Sequence, residues 1–230
     1  MFSKKYLSCF LFLVAFLLVF SQTEPLMAQV PGMLGMPTTS AGFKIPEVST
    51  YVKYILSDGK SESILKLSIV GKEKIEGEGE FFWYEIEQSD PKSGSVSIFK
   101  MLISGNPQEL GSVKKIIYKS GKDPANELPQ AFVSLMNQTR KDTTKAVEPK
   151  AKKLGTEEVK TKAGTFKCVH TQDVSAGKQV TDTWTNAEVP LFGIVKSTAG
   201  SRTLELLEHG TKAVSAIKEK PKLLEMPGQK

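Results

Sequence analysis

The sequence predicts an α+β fold, mostly β: a large antiparallel sheet that curls around one main helix. Three observations predict it. From Tyr51 onward, apolar residues recur with period two in about nine or ten short runs. Turn residues such as Asp58-Gly59, Pro91-Lys92-Ser93-Gly94 and Gly177 separate those runs. One substantial segment, about 127–139, has helical spacing instead.

The runs follow in order. Tyr51–Ser57 and Lys60–Gly71 read as a hairpin turned at Asp58-Gly59. In the second run Leu65, Leu67 and Ile69 point one way, and Lys66 and Ser68 the other. Lys74–Gln88 reads as one long strand. Its first half alternates Glu76, Glu78 and Glu80 with glycines, and its second half masses Phe81, Phe82, Trp83, Tyr84 and Ile86. Val96–Ile103 is apolar on both faces, as a central strand covered on both sides should be. Val113–Lys119 is a further strand.

In the helical segment Leu128, Phe132, Leu135 and Met136 share one face, with Pro129 suited to a first helical position. Residues 139–153 turn polar and basic and read as a solvated loop. A second strand block follows. Glu157–Ala163 and Thr165–Asp173 are one long strand or two joined by a bend at Gly164. Gln179–Thr185, Ile194–Ser197 and Thr203–Glu208 complete it, with a corner at Pro190-Leu191-Phe192-Gly193. The tail beyond residue 212 is basic; a short helix near 213–219 and a disordered end are expected there.

The N-terminus reads differently. Lys4 and Lys5 precede an apolar run, Tyr6 to Phe20, broken only by Ser8. That run is too short to span a bilayer, which takes about 20 residues, and fits a secretory signal. Cleavage is expected after Ala28, with Ser21 as the alternative. The expected organisation is therefore a signal at 1–28 and a Pro/Gly-rich flexible leader at 29–47. A single β-rich domain at 48–212 and the basic tail at 213–230 follow. The implied location is the periplasm after cleavage.

Export removes Cys9 with the signal and leaves Cys168 alone, so packing rather than an internal disulfide must hold the fold. The formal net charge of +6 is mild. It suits weak peripheral attraction to an anionic membrane surface, and no cluster of basic residues with stacking aromatics suggests nucleic acid.

One stretch is distinctive. Ala163-Gly164-Thr165-Phe166-Lys167-Cys168 is followed by Thr183-Trp184, then by Val189-Pro190-Leu191-Phe192-Gly193-Ile194-Val195-Lys196-Ser197. It resembles uncharacterised exported bacterial proteins that look similar to the LolA/LolB-like superfamily of periplasmic lipoprotein carriers. The resemblance covers roughly residues 155–210. It implies an incomplete antiparallel β-barrel with helix on its concave side and an apolar interior that accepts acyl chains. It transfers no particular ligand contact. Read physically, the motif specifies shape: a bend at Ala163-Gly164, inward Phe166 and Cys168, Trp184 packed across a neighbouring strand, and a corner at Pro190.

Chemistry-bearing residues are sparse. His170 and His209 are the only histidines, and Cys168 and His170 share a strand face. A Cys–His pair would serve as nucleophile and base or as two metal ligands, but a buried Cys beside a hydrogen-bonded His is the simpler reading. Glu76, Glu78 and Glu80 on one strand face would suit a hard cation, though an exposed acidic row also discourages edge pairing. Met33 and Met36 in the leader make a weak soft-metal pattern. No phosphate-binding glycine loop, nucleophile elbow or metalloprotease helix occurs. No catalytic residue, metal or cofactor is expected.

The leading expectation is a non-enzymatic periplasmic protein that holds a lipid or lipoprotein acyl chain between sheet and helix. Phe81, Trp83, Phe99, Phe132, Leu135 and Trp184 are the candidate lining residues. The alternative is an envelope interaction module that binds a protein partner through an open sheet edge. A thiol or metal enzyme built on Cys168 and His170 is the third reading. An interior with a void favours the lipid, and a filled interior favours the module.

Overall fold

The computed structural model describes residues 47–105, 112–144, 152–174 and 180–224. The expected signal, and all of the expected leader but Glu47, lie outside them. The strands are β1 (Tyr51–Ser57), β2 (Glu62–Ile75), β3 (Gly79–Ser89), β4 (Val96–Ser104), β5 (Val113–Ser120) and β6 (Asn126–Glu127). Helix α1 (Gln130–Thr144) follows, then β7 (Lys152–Thr161), β8 (Gly164–Val174), β9 (Val180–Thr185), β10 (Ile194–Ala199), β11 (Arg202–Gly210) and β12 (Lys222–Leu223). All belong to one sheet in the order β12-β6-β5-β4-β3-β2-β1-β11-β10-β9-β8-β7. Pairing is antiparallel throughout except between β12 and β6. The sheet curls, bringing β7 back toward β10 and β11, but does not close into a barrel. The predicted curled sheet with a single main helix is what forms.

The expected long strand from Lys74 is a hairpin instead. β2 runs on to Ile75, and the chain turns at Glu76-Gly77-Glu78, where Glu78 N–H donates to Ile75 O at 3.0 Å. Gly77 has φ 76°, a backbone angle that turns demand and side chains resist. Glu76 and Glu78 therefore sit in the turn rather than along a strand face. Glu78 pairs with Lys114 and Glu80 with Lys72, each across to a different strand.

Strands β3 and β4 carry apolar side chains on both faces, so the sheet needs two covers. On the front face Phe82 and Tyr84 meet Met101, Ile103, Ile116 and Ile69. Helix α1 supplies Val133, with Leu128 just before it, and Phe132 packs alongside. The helix starts one residue after Pro129, whose carbonyl accepts from Phe132 N–H at 2.9 Å. Its buried side is turned from the expected one: Val133 is buried, whereas Leu135 is 59% exposed. Asn137 fixes the helix to the start of β5, accepting from Val113 N–H at 3.0 Å and donating to Val113 O at 2.8 Å.

Toward β1, β10 and β11 the front face is covered by the β9–β10 corner, residues 186–193. Val189 is buried there, and Leu191 and Phe192 pack on Tyr54, Leu65, Leu204 and their neighbours. Leu191 also packs on the helix-side cluster, so it links the two. The corner is closed at its neck, where Asn186 N–H donates to Gly193 O at 2.8 Å. Leu191 holds a left-handed φ of 65°, a strained state for a large side chain.

The back face is covered by the C-terminal segment. No helix forms at 213–219; residues 211–224 make an extended strap across the sheet. Ala213 N–H donates to Ser49 O at 2.8 Å. Ile217 packs on Ile98, Ile117 and Ala125, beside Trp83. Lys119 pairs with Glu219, and this hydrogen bond pulls the Glu219 carboxyl down to about 2. β12 then pairs with β6 at the far edge.

Gly193 decides whether the corner forms. Its φ is 69°, and a Cβ there would lie 2.9 Å from Asn186 O. Gly193→Ala should destabilise the domain by about 1–3 kcal/mol, read as a lower chemical-denaturation midpoint. Ala at exposed Gly59, where a Cβ would meet nothing within 4 Å, carries the backbone penalty without the clash and should cost less.

Candidate functional site

The six sequence-nominated lining residues do not converge on one cavity. Phe99 and Phe132 pack on the front cluster under α1. Phe81 and Trp83 point to the opposite face, since β3 places four aromatics in a row and sends alternate ones to opposite sides. Phe81 is buried, with the Lys114 ammonium 5.7 Å from its ring centre. Trp83 lies beside the strap cluster, with Lys100 5.0 Å from its ring centre and its indole N–H donated to Glu73 at 2.8 Å. Leu135 is exposed on α1. Trp184 belongs to a different group, on β9.

That group is the densest polar cluster of the β7–β10 wing. His170 on β8 is register partner to Trp184, and the two rings stack with centres 4.3 Å apart and planes at 18°. His170 Nε2 lies 2.9 Å from Asp182 Oδ1, and Nδ1 lies 3.0 Å from Glu157 Oε1. Trp184 donates its indole N–H to the same Glu157 oxygen. Gln172 donates to Asp182 at 3.0 Å, and Lys196 stands 5.6 Å from the Trp184 ring centre. Both imidazole nitrogens thus face carboxylate oxygens. Imidazolium donates to both, while a neutral ring donates to one.

The cluster ties β7 to β9 across β8, and its groups are satisfied by one another. Sequence reasoning missed Glu157 and Asp182 as partners of His170. Both belong to other strands, and the register that brings them together is not written in local spacing. The period-two alternation that put His170 and Cys168 on one face was the available signal.

Cys168 is wholly buried, and its thiol contacts Phe166 O at 3.6 Å. Burial, with the Glu157 carboxylate nearby, pushes its pKa up. A buried thiol kept protonated is a poor nucleophile. Among the described residues no group of three or more His, Cys, Asp and Glu side chains is arranged to hold a metal ion. Met33 and Met36 lie outside the described residues.

On the front face, where an acyl chain was expected, the 186–193 corner packs over the strands. Val52, Tyr54, Leu65, Leu204 and Leu206 are at most 2% exposed. Tyr54 is anchored by donating its hydroxyl to Ile194 O at 3.1 Å, and burial raises its pKa well above the ordinary tyrosine value.

The open features lie at the sheet's ends. β7 is the terminal strand and pairs only with β8 among the described residues; eight of its ten residues are exposed. Leu154 on β7 and the cross-strand pair Val174–Val180 of β8 and β9 are exposed apolar residues. The other terminal strand, β12, has two residues and offers no comparable edge.

No family model matches the chain, and no curated protein matches it. Solved structures with a similar path include an exported protein with a YmcC-like fold from Bacteroides fragilis. It has a TM-score of 0.36 and 12% identity, with 74% of this chain and 99% of that one covered. A lipoprotein from Parabacteroides distasonis gives 0.36 and 14%, covering 72% and 97%. MucB gives 0.33 and 7%, covering 75% of this chain and 56% of its own. Likeness at this level says nothing of activity. The LolA/LolB-like resemblance is a finer statement than these structures carry.

The buried thiol makes a direct prediction. A soluble aromatic disulfide reagent at pH 8 should leave Cys168 unlabelled in the folded protein and label it fully in denaturant. Fast labelling of the folded protein would show that Cys168 is open to solvent.

Proposed function

We propose that this is an exported, non-enzymatic interaction module that binds a protein partner at the cell envelope. The packing of the corner and the helix on the front face supports this reading. The space in which a carrier would hold its cargo is taken by the chain's own Val189, Leu191, Phe192 and Val133. Emptying it would expose the apolar surface those groups bury, at about 25 cal/mol per Å². The N-terminal signal pattern supports export, and the wholly buried Cys168 supports the absence of thiol chemistry.

The partner surface is the outer edge of β7. Ten residues of strand present a row of backbone donors and acceptors, to which an extended segment adds as a further strand. The edge is selective rather than open to any strand. A bulge lies between Lys153 and Gly155, and Lys152, Lys153 and Lys160 repel indiscriminate pairing. The charges along β7 run basic, acidic, basic, which favours a partner with carboxylates opposite Lys152 and Lys153. Leu154, on β7 itself, is an exposed apolar residue on the strand that such a segment would join.

The test is site-specific photocrosslinking in exporting bacteria. A photoreactive residue at Glu158 should give a discrete adduct with one envelope protein. The same adduct should fall at least several-fold with Lys152→Glu/Lys153→Glu, and a probe at Lys60 in the β1–β2 turn should not form it. Adducts that are absent at Glu158, or equal from Lys60, would remove β7 as the partner surface.

A further inference from the structure

The strap is held by a built site rather than by loose apolar contact. Glu85 on β3 is buried, 4% exposed, and its register partner on β4 is Lys100. The Glu85 carboxylate accepts from Ala216 N–H at 2.7 Å and from the Ser215 hydroxyl at 2.5 Å. Lys100 donates to the same hydroxyl at 3.1 Å. The residue after Ala216, Ile217, enters the apolar site made by Ile98, Ile117 and Ala125. Lys119 then holds Glu219, whose carboxylate also accepts from Ala125 N–H at 3.3 Å. Lys222 N–H and Leu224 N–H donate to Ala125 O and Glu127 O, each at 2.9 Å.

Two features make this site selective for one sequence and tolerant of its source. Both donors to Glu85 come from the strap, so a segment seated there must supply a hydroxyl and a backbone N–H at the same two positions. Only a segment with the same pattern, a Ser with a free backbone N–H after it, then Ile, then Glu, fits in its place. The connection to the body is short and strained. The chain leaves β11 at Gly210, and Lys212 holds a left-handed φ of 70° to turn onto the back face. Opening that hinge relieves the strain, and the site does not register which copy supplies the strap.

We propose that the back-face site accepts the 213–224 strap of a second copy of this chain, so that two molecules exchange straps reciprocally. Each exchanged dimer keeps the Glu85–Ser215–Ala216 contacts, the Ile217 seat and the β6–β12 pairing, now made between copies. The β7 edge is on the other end of the sheet and stays free in both forms, so this inference stands apart from the partner proposed for that edge.

Glu127 and Leu223 are opposite each other in the β6–β12 register, at a separation a disulfide can bridge. One full-length mature copy carries Glu127→Cys and another Leu223→Cys; the remaining Cys168 is buried. The two are mixed at high concentration, incubated and oxidised. Exchange predicts a disulfide-linked dimer containing one of each, several-fold above either copy alone. Deleting Thr211 and Lys212 in both copies shortens the hinge and should raise its yield further. The chain carrying both cysteines shows that the bond forms. If that chain closes on itself while the mixture, folded by circular dichroism, gives no mixed dimer, the proposal is overturned, whatever the hinge deletion does to folding.

Discussion

The structure depends on one constraint: β3 and β4 are apolar on both faces. A sheet with one wet face can stand behind a single cover, but these strands cannot. Phe82, Tyr84, Met101 and Ile103 need a layer in front, and Phe81, Trp83, Ile98 and Leu102 need one behind. Helix α1 and the 186–193 corner meet the first need. The strap meets the second at Ile98 and Trp83, and its buried Glu85 anchor turns a greasy contact into a specific one. With a lone buried cysteine in the domain, these covers hold the two wings of the sheet to one another.

The same need for cover bears on the concave face. A curled sheet with a helix on its concave side has the outline of a container. Here the concavity is occupied by Val189, Leu191 and Phe192, delivered by a corner whose neck is a single backbone hydrogen bond. Leu191 accepts a left-handed backbone to reach its seat between the two front clusters. Partial burial of the side chain against both clusters offsets that strain. The polar cluster around His170 is likewise spent on structure. Its carboxylates, indole and amide satisfy each other and fasten the terminal strand β7 to β9.

Much of the fold was legible in the sequence because period-two alternation is a local signal. β1, β4, β5, β9 and β11 fall within one or two residues of their expected ends. What failed were features decided at a distance. The glutamate–glycine repeat before Phe81 alternates as a strand does, yet Gly77 at positive φ makes it a turn. The choice of Phe81 and Trp83 over Phe82 and Tyr84 as helix-facing was a matter of one residue's parity, which only the covering layers fix. Leu135 and Val133 are both at reasonable helical positions, and the docking of Asn137 on Val113 selects Val133. The strap was unreadable because nothing in residues 211–224 alternates; its order comes from Glu85, Ile98 and Lys119, each about a hundred residues or more earlier in the chain. The Glu157–His170–Asp182 group was hidden for the same reason.

The central claim is that the chain fills its own concave face. The most direct measurement is native mass spectrometry of residues 29–230 purified from a bacterial periplasm, followed by solvent extraction and by incubation with fatty acid and phospholipid. The account predicts the bare polypeptide mass, no extracted lipid and no uptake. A stoichiometric lipid adduct that diminishes with Phe132→Asp would contradict it. The front face would then open to cargo, and the corner at 186–193 would have to leave its seat to admit it.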